Sequence, residues 1–196
     1  MKACVIMGSP NKAGNTIKLL SPLLEEFKEK EIEFDYFSLY EMNILPCIGC
    51  RVCQSDWSKF GCVRQDDVQA IFDSLMGSEL ILLATPIYSW YCTPPVKALL
   101  DRLVYGMNKY YGDKKGPSLW EGKKMALLTT CGYRPTEGAD LWEVGIMRYC
   151  KHSKLKYIEM LAERHLGYQT TFLDEEKIAR SQQFAKMLIN TIQGNE

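Results

Sequence analysis

Lys2-Ala3-Cys4-Val5-Ile6-Met7-Gly8-Ser9-Pro10-Asn11-Lys12-Ala13-Gly14-Asn15-Thr16 decides how this chain is read. A mostly apolar strand runs into a loop of Gly, Ser and Asn, and a helical pattern starts at Asn15. A loop of this kind turns backbone N–H groups outward at the positive end of the helix dipole, which makes a receptor for a phosphate dianion. Ser9, Asn11, Asn15 and Thr16 add side-chain donors, and Gly14 lets the backbone close on the ligand. The plainer alternative is an ordinary strand–turn–helix with Asn15 as its N-cap. The loop has neither the Gly-x-x-x-x-Gly-Lys-Ser/Thr of triphosphate sites nor the Gly-x-Gly-x-x-Gly of dinucleotide sites. A phosphate monoester remains.

Strand and helix patterns alternate from this point onward, the signature of a parallel α/β sheet. Strands are predicted near 2–7, 32–38, 79–85, 123–131 and 155–163, and helices near 15–29, 66–76, 94–105, 138–152 and 174–192. Leu80-Ile81-Leu82-Leu83-Ala84 is continuously apolar, as a strand covered on both faces requires. Ile17, Leu20, Leu24 and Phe27 mark the buried stripe of the first helix, with a kink expected at Pro22. Asp174 is expected to cap the last helix, whose stripe would be Ile178, Ala185, Leu188 and Ile192. The reading is a three-layer, doubly wound sheet in the order 2-1-3-4-5, forming a single domain over 1–196. In that order a ligand lies beyond the carboxyl ends of the first, third and fourth strands.

Composition narrows the class. Lys plus Arg and Asp plus Glu each number 24, and the zero net charge argues against nucleic acid, an anionic membrane surface or a dedicated electron carrier as the main business of the chain. No apolar run suits a signal peptide or a membrane span, so a cytoplasmic location is expected. The eight cysteines then read as thiols or ligands rather than a disulfide frame.

Thr85-Pro86-Ile87-Tyr88-Ser89-Trp90-Tyr91 follows the third strand and Thr129-Thr130-Cys131-Gly132-Tyr133 ends the fourth. A planar ring attached to the phosphate would extend over both segments. Tyr88 and Trp90 offer it an aromatic wall, and peptide groups around Ile87 to Ser89 and at Gly132 suit its polar edge. Alone, such aromatics are as readily explained by loop packing.

Gly8-Ser9-Pro10…Gly14-Asn15-Thr16, the Cys47-x-x-Cys50-x-x-Cys53 run, Asp66-Asp67, Thr85-Pro86-Ile87-Tyr88 and Pro95…Lys97…Asp101-Arg102 occur in an order that resembles the flavodoxin-like NAD(P)H-dependent FMN reductase family, including its iron-sulfur flavoprotein branch. The resemblance covers most of the first 135 residues. It implies a flavodoxin-like fold, a noncovalent FMN and two-electron reduction by NAD(P)H. It places the phosphate on Ser9, Asn11, Asn15 and Thr16, and the flavin ring against Pro86, Ile87, Tyr88 and Gly132, with Ser89, Trp90 and Thr130 beside it. The cofactor carries the chemistry, so no catalytic side chain is named. A small electron acceptor is implied: a quinone, a nitro or azo compound, free flavin or a metal complex.

Two long excursions, 40–65 and 106–122, break the pattern, and loops of that length are usually functional. The first holds Cys47, Cys50 and Cys53, with Cys62 eight residues further on. Three close thiolates and a remote fourth can wrap a [4Fe-4S] cluster, while zinc more often shows two separated Cys-x-x-Cys pairs. In the iron-sulfur branch the fourth cysteine comes sooner. Plain thiols, a redox disulfide, zinc and a cluster therefore stand side by side. The excursion leaves the carboxyl end of the second strand, so it is expected near the crevice. The second excursion reads as a lid or a subunit contact. Trp90, Tyr91, Tyr105, Tyr110 and Tyr111 look like more rings than one domain buries, which predicts a homodimer or homotetramer joined through 86–115. Asp66 and Asp67 read as the cap and first-turn acid of the second helix, and Cys92 and Cys131 as packing residues near the ring. Two rival functions remain: an electron-transfer iron-sulfur flavoprotein without an enzymatic role, and a thiol or zinc redox sensor.

Overall fold

The computed structural model describes residues 1–167 and 169–194. Five parallel strands, β1 (Lys2–Met7), β2 (Glu33–Ser38), β3 (Leu80–Pro86), β4 (Lys124–Cys131) and β5 (Lys156–Arg164), form one sheet in the order β2-β1-β3-β4-β5. This is the flavodoxin-like arrangement expected from the sequence. The helices are α1 (Asn15–Glu29), α2 (Val68–Gly77), α3 (Pro94–Met107), α4 (Pro135–Gly138), α5 (Asp140–Ser153) and α6 (Glu175–Gln193).

Alternation along the strands builds the layers. Cys4, Ile6, Ile81, Leu83, Met125 and Leu127 face one core with α2, α3 and α5, while Ala3, Val5, Leu80, Leu82, Ala126 and Leu128 face the other with α1 and α6. Successive side chains of a strand point to opposite faces, so a central strand must be apolar throughout. β3 is apolar from Leu80 to Ala84, and its residues Leu80 to Thr85 are all buried.

Some expectations change in detail. α1 runs from Asn15 to Glu29 through a buried Pro22 without interruption. Its fully buried stripe is Leu19, Leu20, Leu23 and Phe27, whereas Ile17 and Leu24 pack at the margin of the core. Asp174 does cap α6, its carboxylate accepting a 2.8 Å hydrogen bond from Lys177 N–H. On α6, Phe184 and Ile189 join the buried stripe and Ile178 lies only half-buried. The predicted helix 138–152 is divided at Ala139 into α4 and α5. Asp66 and Asp67 lie before α2, not in its first turn, and Asp67 at the cap position makes no side-chain cap bond; instead Asp67 accepts from Asn43 N–H and Asp66 from Leu45 N–H, tying the first excursion to that helix. Asp66 also forms a fully buried ion pair with Arg102 of α3.

Candidate functional site

The loop after β1 is fixed by contacts that leave its donors facing outward. Gly8 N–H bonds Ala84 O at 2.7 Å, and Thr93 Oγ1 bonds Gly8 O at 2.7 Å, locking the ends of β1 and β3 to the start of α3. A Cβ on Gly8 would stand 2.2 Å from Val96 Cγ2, so close packing demands glycine there. The Asn11 carboxamide oxygen accepts from Ala13 N–H, and Asn11 O accepts from Gly14 N–H. The residue preceding α1 is Gly14 and no side chain caps the helix, so Asn15 is its first residue and not its cap. An uncapped N-terminus on a fifteen-residue helix is the cradle an anion needs.

Thr16 is buried, and its hydroxyl pairs with that of Thr130, on β4, at 2.8 Å. Each hydroxyl has one proton and two lone pairs, so one serves the pair and the other is free for a ligand. Ser9, Thr16 and Thr130 are buried, Asn15 is half-buried and Asn11 exposed. Open grooves flank the loop, one of about 540 Å³ reaching Lys18, His165 and Phe172 and one of about 400 Å³ toward Phe34 and Tyr36.

Pro86 extends the β3–β4 ladder, and Ile87 N–H donates to Thr130 O at 2.8 Å. Tyr88 and Tyr91 exchange two backbone hydrogen bonds across a two-residue turn, Ser89-Trp90, in which both φ angles are positive, 50° and 63°. This is a conformation that glycine adopts freely and a bulky residue rarely does. The peptide N–H groups of Ile87 and Tyr88 are thus used inside the chain, and those of Ser89 and Trp90 remain for the edge of a ligand. The Trp90 ring lies against Tyr133 from the β4 end, with centroids 6.0 Å apart and planes at 11°. Gly132 is exposed, its carbonyl held by Arg164 Nε at 3.0 Å. All the residues expected to bind the phosphate and ring stand at the carboxyl ends of β1, β3 and β4.

The four cysteines of the first excursion meet elsewhere. Cys47, Cys50, Cys53 and Cys62 line one pocket with Arg51, Arg64, Arg102 and Tyr105. Arg102 and Tyr105 lie eight and eleven residues after Pro94, so the thiols sit roughly 12–17 Å down α3 at 1.5 Å per residue. The excursion does begin at the crevice, where Tyr40 approaches Tyr88 and Thr93, but its thiols lie away from it. Among the described residues no three His, Cys, Asp or Glu side chains are gathered closely enough to hold a single metal ion. The donor set is still that of a four-thiolate group. Arg64 Nε and Arg102 Nε are buried beside it without an acceptor. Burial raises the Cys53 pKa. It works against the Arg102 charge as well, yet hydrogen bonds with Asp66 and Cys62 outweigh that and hold the guanidinium pKa above its usual value.

The second excursion packs in part on the cysteine loop, while residues 112–115 and Pro117 stay exposed. Gln54 donates to Tyr105 O and Asn108 O and accepts from Tyr111 N–H. Lys109, wholly buried, donates to Cys53 O, Lys59 O and Phe60 O. Desolvation lowers its pKa. Tyr105, Tyr110 and Tyr111, each half-buried, cluster with one another and His152, and Tyr91 packs edge-on against Trp142; the Tyr110 hydroxyl is buried without a partner among the described residues. Gln54, Arg64 and Lys109 escaped the sequence reading. Their only signal was a polar residue inside a long loop, and their partners lie up to 57 residues away.

Sheet order defines a flavodoxin-like α/β protein, and the uncapped helix after β1 stands at the same end of the sheet as the stacked rings after β3 and β4. The profile of the NADPH-dependent FMN reductase family matches residues 1–143, and the chain belongs to that family. It is 32% identical over 120 residues to an iron-sulfur flavoprotein of Archaeoglobus fulgidus, covering 61% of this chain and 53% of the relative. It is 34% identical over 102 residues to an iron-sulfur flavoprotein of Methanocaldococcus jannaschii, covering 52% and 51%. The chain therefore spans about half the length of these curated relatives. The NAD(P)H:quinone oxidoreductase of Methanothermobacter marburgensis superposes with a TM-score of 0.74 over 96% of both chains at 15% identity, a likeness of fold. Among the described residues no helix is long and apolar enough to cross a membrane.

Proposed function

We propose that this chain is a single FMN-binding oxidoreductase domain, cytoplasmic, which takes electrons from NAD(P)H and delivers them to a small acceptor such as a quinone, an azo or nitro compound, free flavin or a metal complex. The observation that carries this reading is the uncapped α1 N-terminus, with Thr16 and Thr130 paired at its mouth. When bound, FMN supplies hydride chemistry, accepting from the nicotinamide and donating to the acceptor. Ser9, Asn11, Asn15 and Thr16 hold the phosphate, and Gly14 gives the loop its close approach. Thr130 aims the Thr16 hydroxyl. Pro86, Ile87, Tyr88 and Gly132 border the ring, and Ser89 and Trp90 present N–H groups to its polar edge. Tyr88 and Trp90 also shield it from water on the exposed side.

Cys47, Cys50, Cys53 and Cys62 are proposed to hold a [4Fe-4S] group, which the shared pocket and the names of the curated relatives support. A homodimer or homotetramer is proposed as well. The apolar groups left exposed for it are Tyr88, Trp90, Tyr133 and the α5 residues Leu141, Val144 and Met147.

With one crevice for both substrates, steady-state kinetics should be ping-pong, NAD(P)H and acceptor competing for the same face. Purified protein that neither contains nor takes up FMN at micromolar concentration would defeat the proposal, and a ternary complex would defeat its single-face form.

A further inference from the structure

The four-cysteine pocket is unusual in its charge. Arg51, Arg64 and Arg102 line it and no carboxylate does. Asp66 neutralises Arg102 from behind, leaving Arg102 Nε, like Arg64 Nε, buried without an acceptor. Lys109 stands against the same loop, fully buried, with Nζ 2.7 Å from Cys53 O, 2.7 Å from Lys59 O and 3.3 Å from Phe60 O. Three acceptors around one nitrogen call for three N–H bonds, so the group is an ammonium. Among the described residues no carboxylate pairs with it. Asp56, whose charge reaches it, is half-exposed and already paired with Lys59. A buried cation without a counter-ion and two buried guanidinium donors without acceptors are costly unless an anion completes the site. Four thiolates around iron and sulfide carry net negative charge, and their sulfurs accept hydrogen bonds.

We propose that Arg64, Arg102 and Lys109 form a fixed cationic collar that balances a negatively charged, thiolate-ligated centre on Cys47, Cys50, Cys53 and Cys62. This rests on the cluster reading above. The three act as positioning residues: Lys109 fixes the carbonyls of the loop that carries Cys53 and adds its charge, Arg64 supplies charge and an N–H donor, and Arg102, its charge balanced by Asp66, supplies an N–H donor at the sulfurs. Reduction adds one electron to an already negative centre, so the collar favours the reduced form and raises the potential.

The test uses the full chain, reconstituted anaerobically with iron and sulfide and titrated with dithionite, with FMN and iron content measured alongside. Arg64→Gln and Lys109→Met remove charge, while Arg64→Lys keeps it. Each neutral variant is expected to retain FMN and to bind the cluster with a lower potential. The one-electron equilibrium should move about tenfold, the order for a unit charge roughly 10 Å away at an effective dielectric of about 20, which corresponds to about 59 mV. Arg64→Lys should stay near wild type. Iron lost from the neutral variants and kept in Arg64→Lys supports the collar equally. Should Lys109→Met fail to fold, the Arg64 pair decides. Full iron at an unchanged potential in Arg64→Gln overturns the collar and leaves the cluster standing. Wild-type protein that takes up no iron removes the cluster reading, and the collar with it.

Discussion

Replacing Trp90 with glycine should be better tolerated than replacing it with alanine, the reverse of the usual order. Trp90 has φ 63° and follows Ser89 at φ 50°, in a turn closed by two hydrogen bonds between Tyr88 and Tyr91. A left-handed backbone costs a residue with a Cβ about 1–2 kcal/mol, and glycine almost nothing. Against this, glycine loses about 0.5–1 kcal/mol more chain entropy than alanine on folding. Both variants lose the Trp90–Tyr133 stack, worth about 0.5–1.5 kcal/mol, so that loss cancels between them. Trp90→Gly should therefore exceed Trp90→Ala in stability by about 1 kcal/mol, or roughly 2–4 °C in Tm for a chain of this size. Urea titration of FMN-free protein, read by circular dichroism, measures the difference directly. An alanine variant as stable as the glycine variant, or more so, would show that the turn carries no strain. Both variants should bind FMN or acceptor more weakly than wild type, which would place the strained turn at the functional site, where such strain tends to collect.

Thr16→Val should weaken FMN binding by about 1–3 kcal/mol, since it deletes a hydrogen bond to a charged oxygen, and Thr130→Val should act less strongly in the same direction. Fluorescence quenching titrations would show additive losses if the two hydroxyls did not work as a pair. Asp66→Asn breaks the buried pair with Arg102 and should cost about 3–5 kcal/mol in denaturant unfolding. A loss under 1 kcal/mol would mean the pair is not buried as described. Gly106→Ala sets a Cβ 2.0 Å from the Phe60 ring, so about 1–3 kcal/mol should be lost, together with order in the cysteine loop seen by hydrogen exchange. Cys4, Cys92 and Cys150 have thiol pKa values pushed up to about 12 by burial, so they stay protonated at pH 8. In iron-free protein an alkylating agent at that pH should modify exposed Cys50 first and reach those three only on unfolding, as mass spectrometry of timed samples would report.

The sequence by itself determined the frame. Its strand residues alternate or run apolar according to how many faces are covered, and loop composition marked the open helix N-terminus after β1. That logic is local, so β1 to β5 and the loop from Ser9 to Thr16 were legible. So was Asp174, because a cap is settled within three residues of chain. Tertiary structure alone decided what lies across long gaps. It joined Thr16 to Thr130, Asp66 to Arg102, and the cysteine loop to Lys109, whose neighbours in sequence give no hint of three carbonyls 49 to 56 residues away. It also gathered Tyr105, Tyr110 and Tyr111 into a half-buried cluster with His152 and carried the thiols down α3, away from the crevice. Pattern in a sequence records which groups must leave water; which groups they then meet depends on a packing that no short window contains.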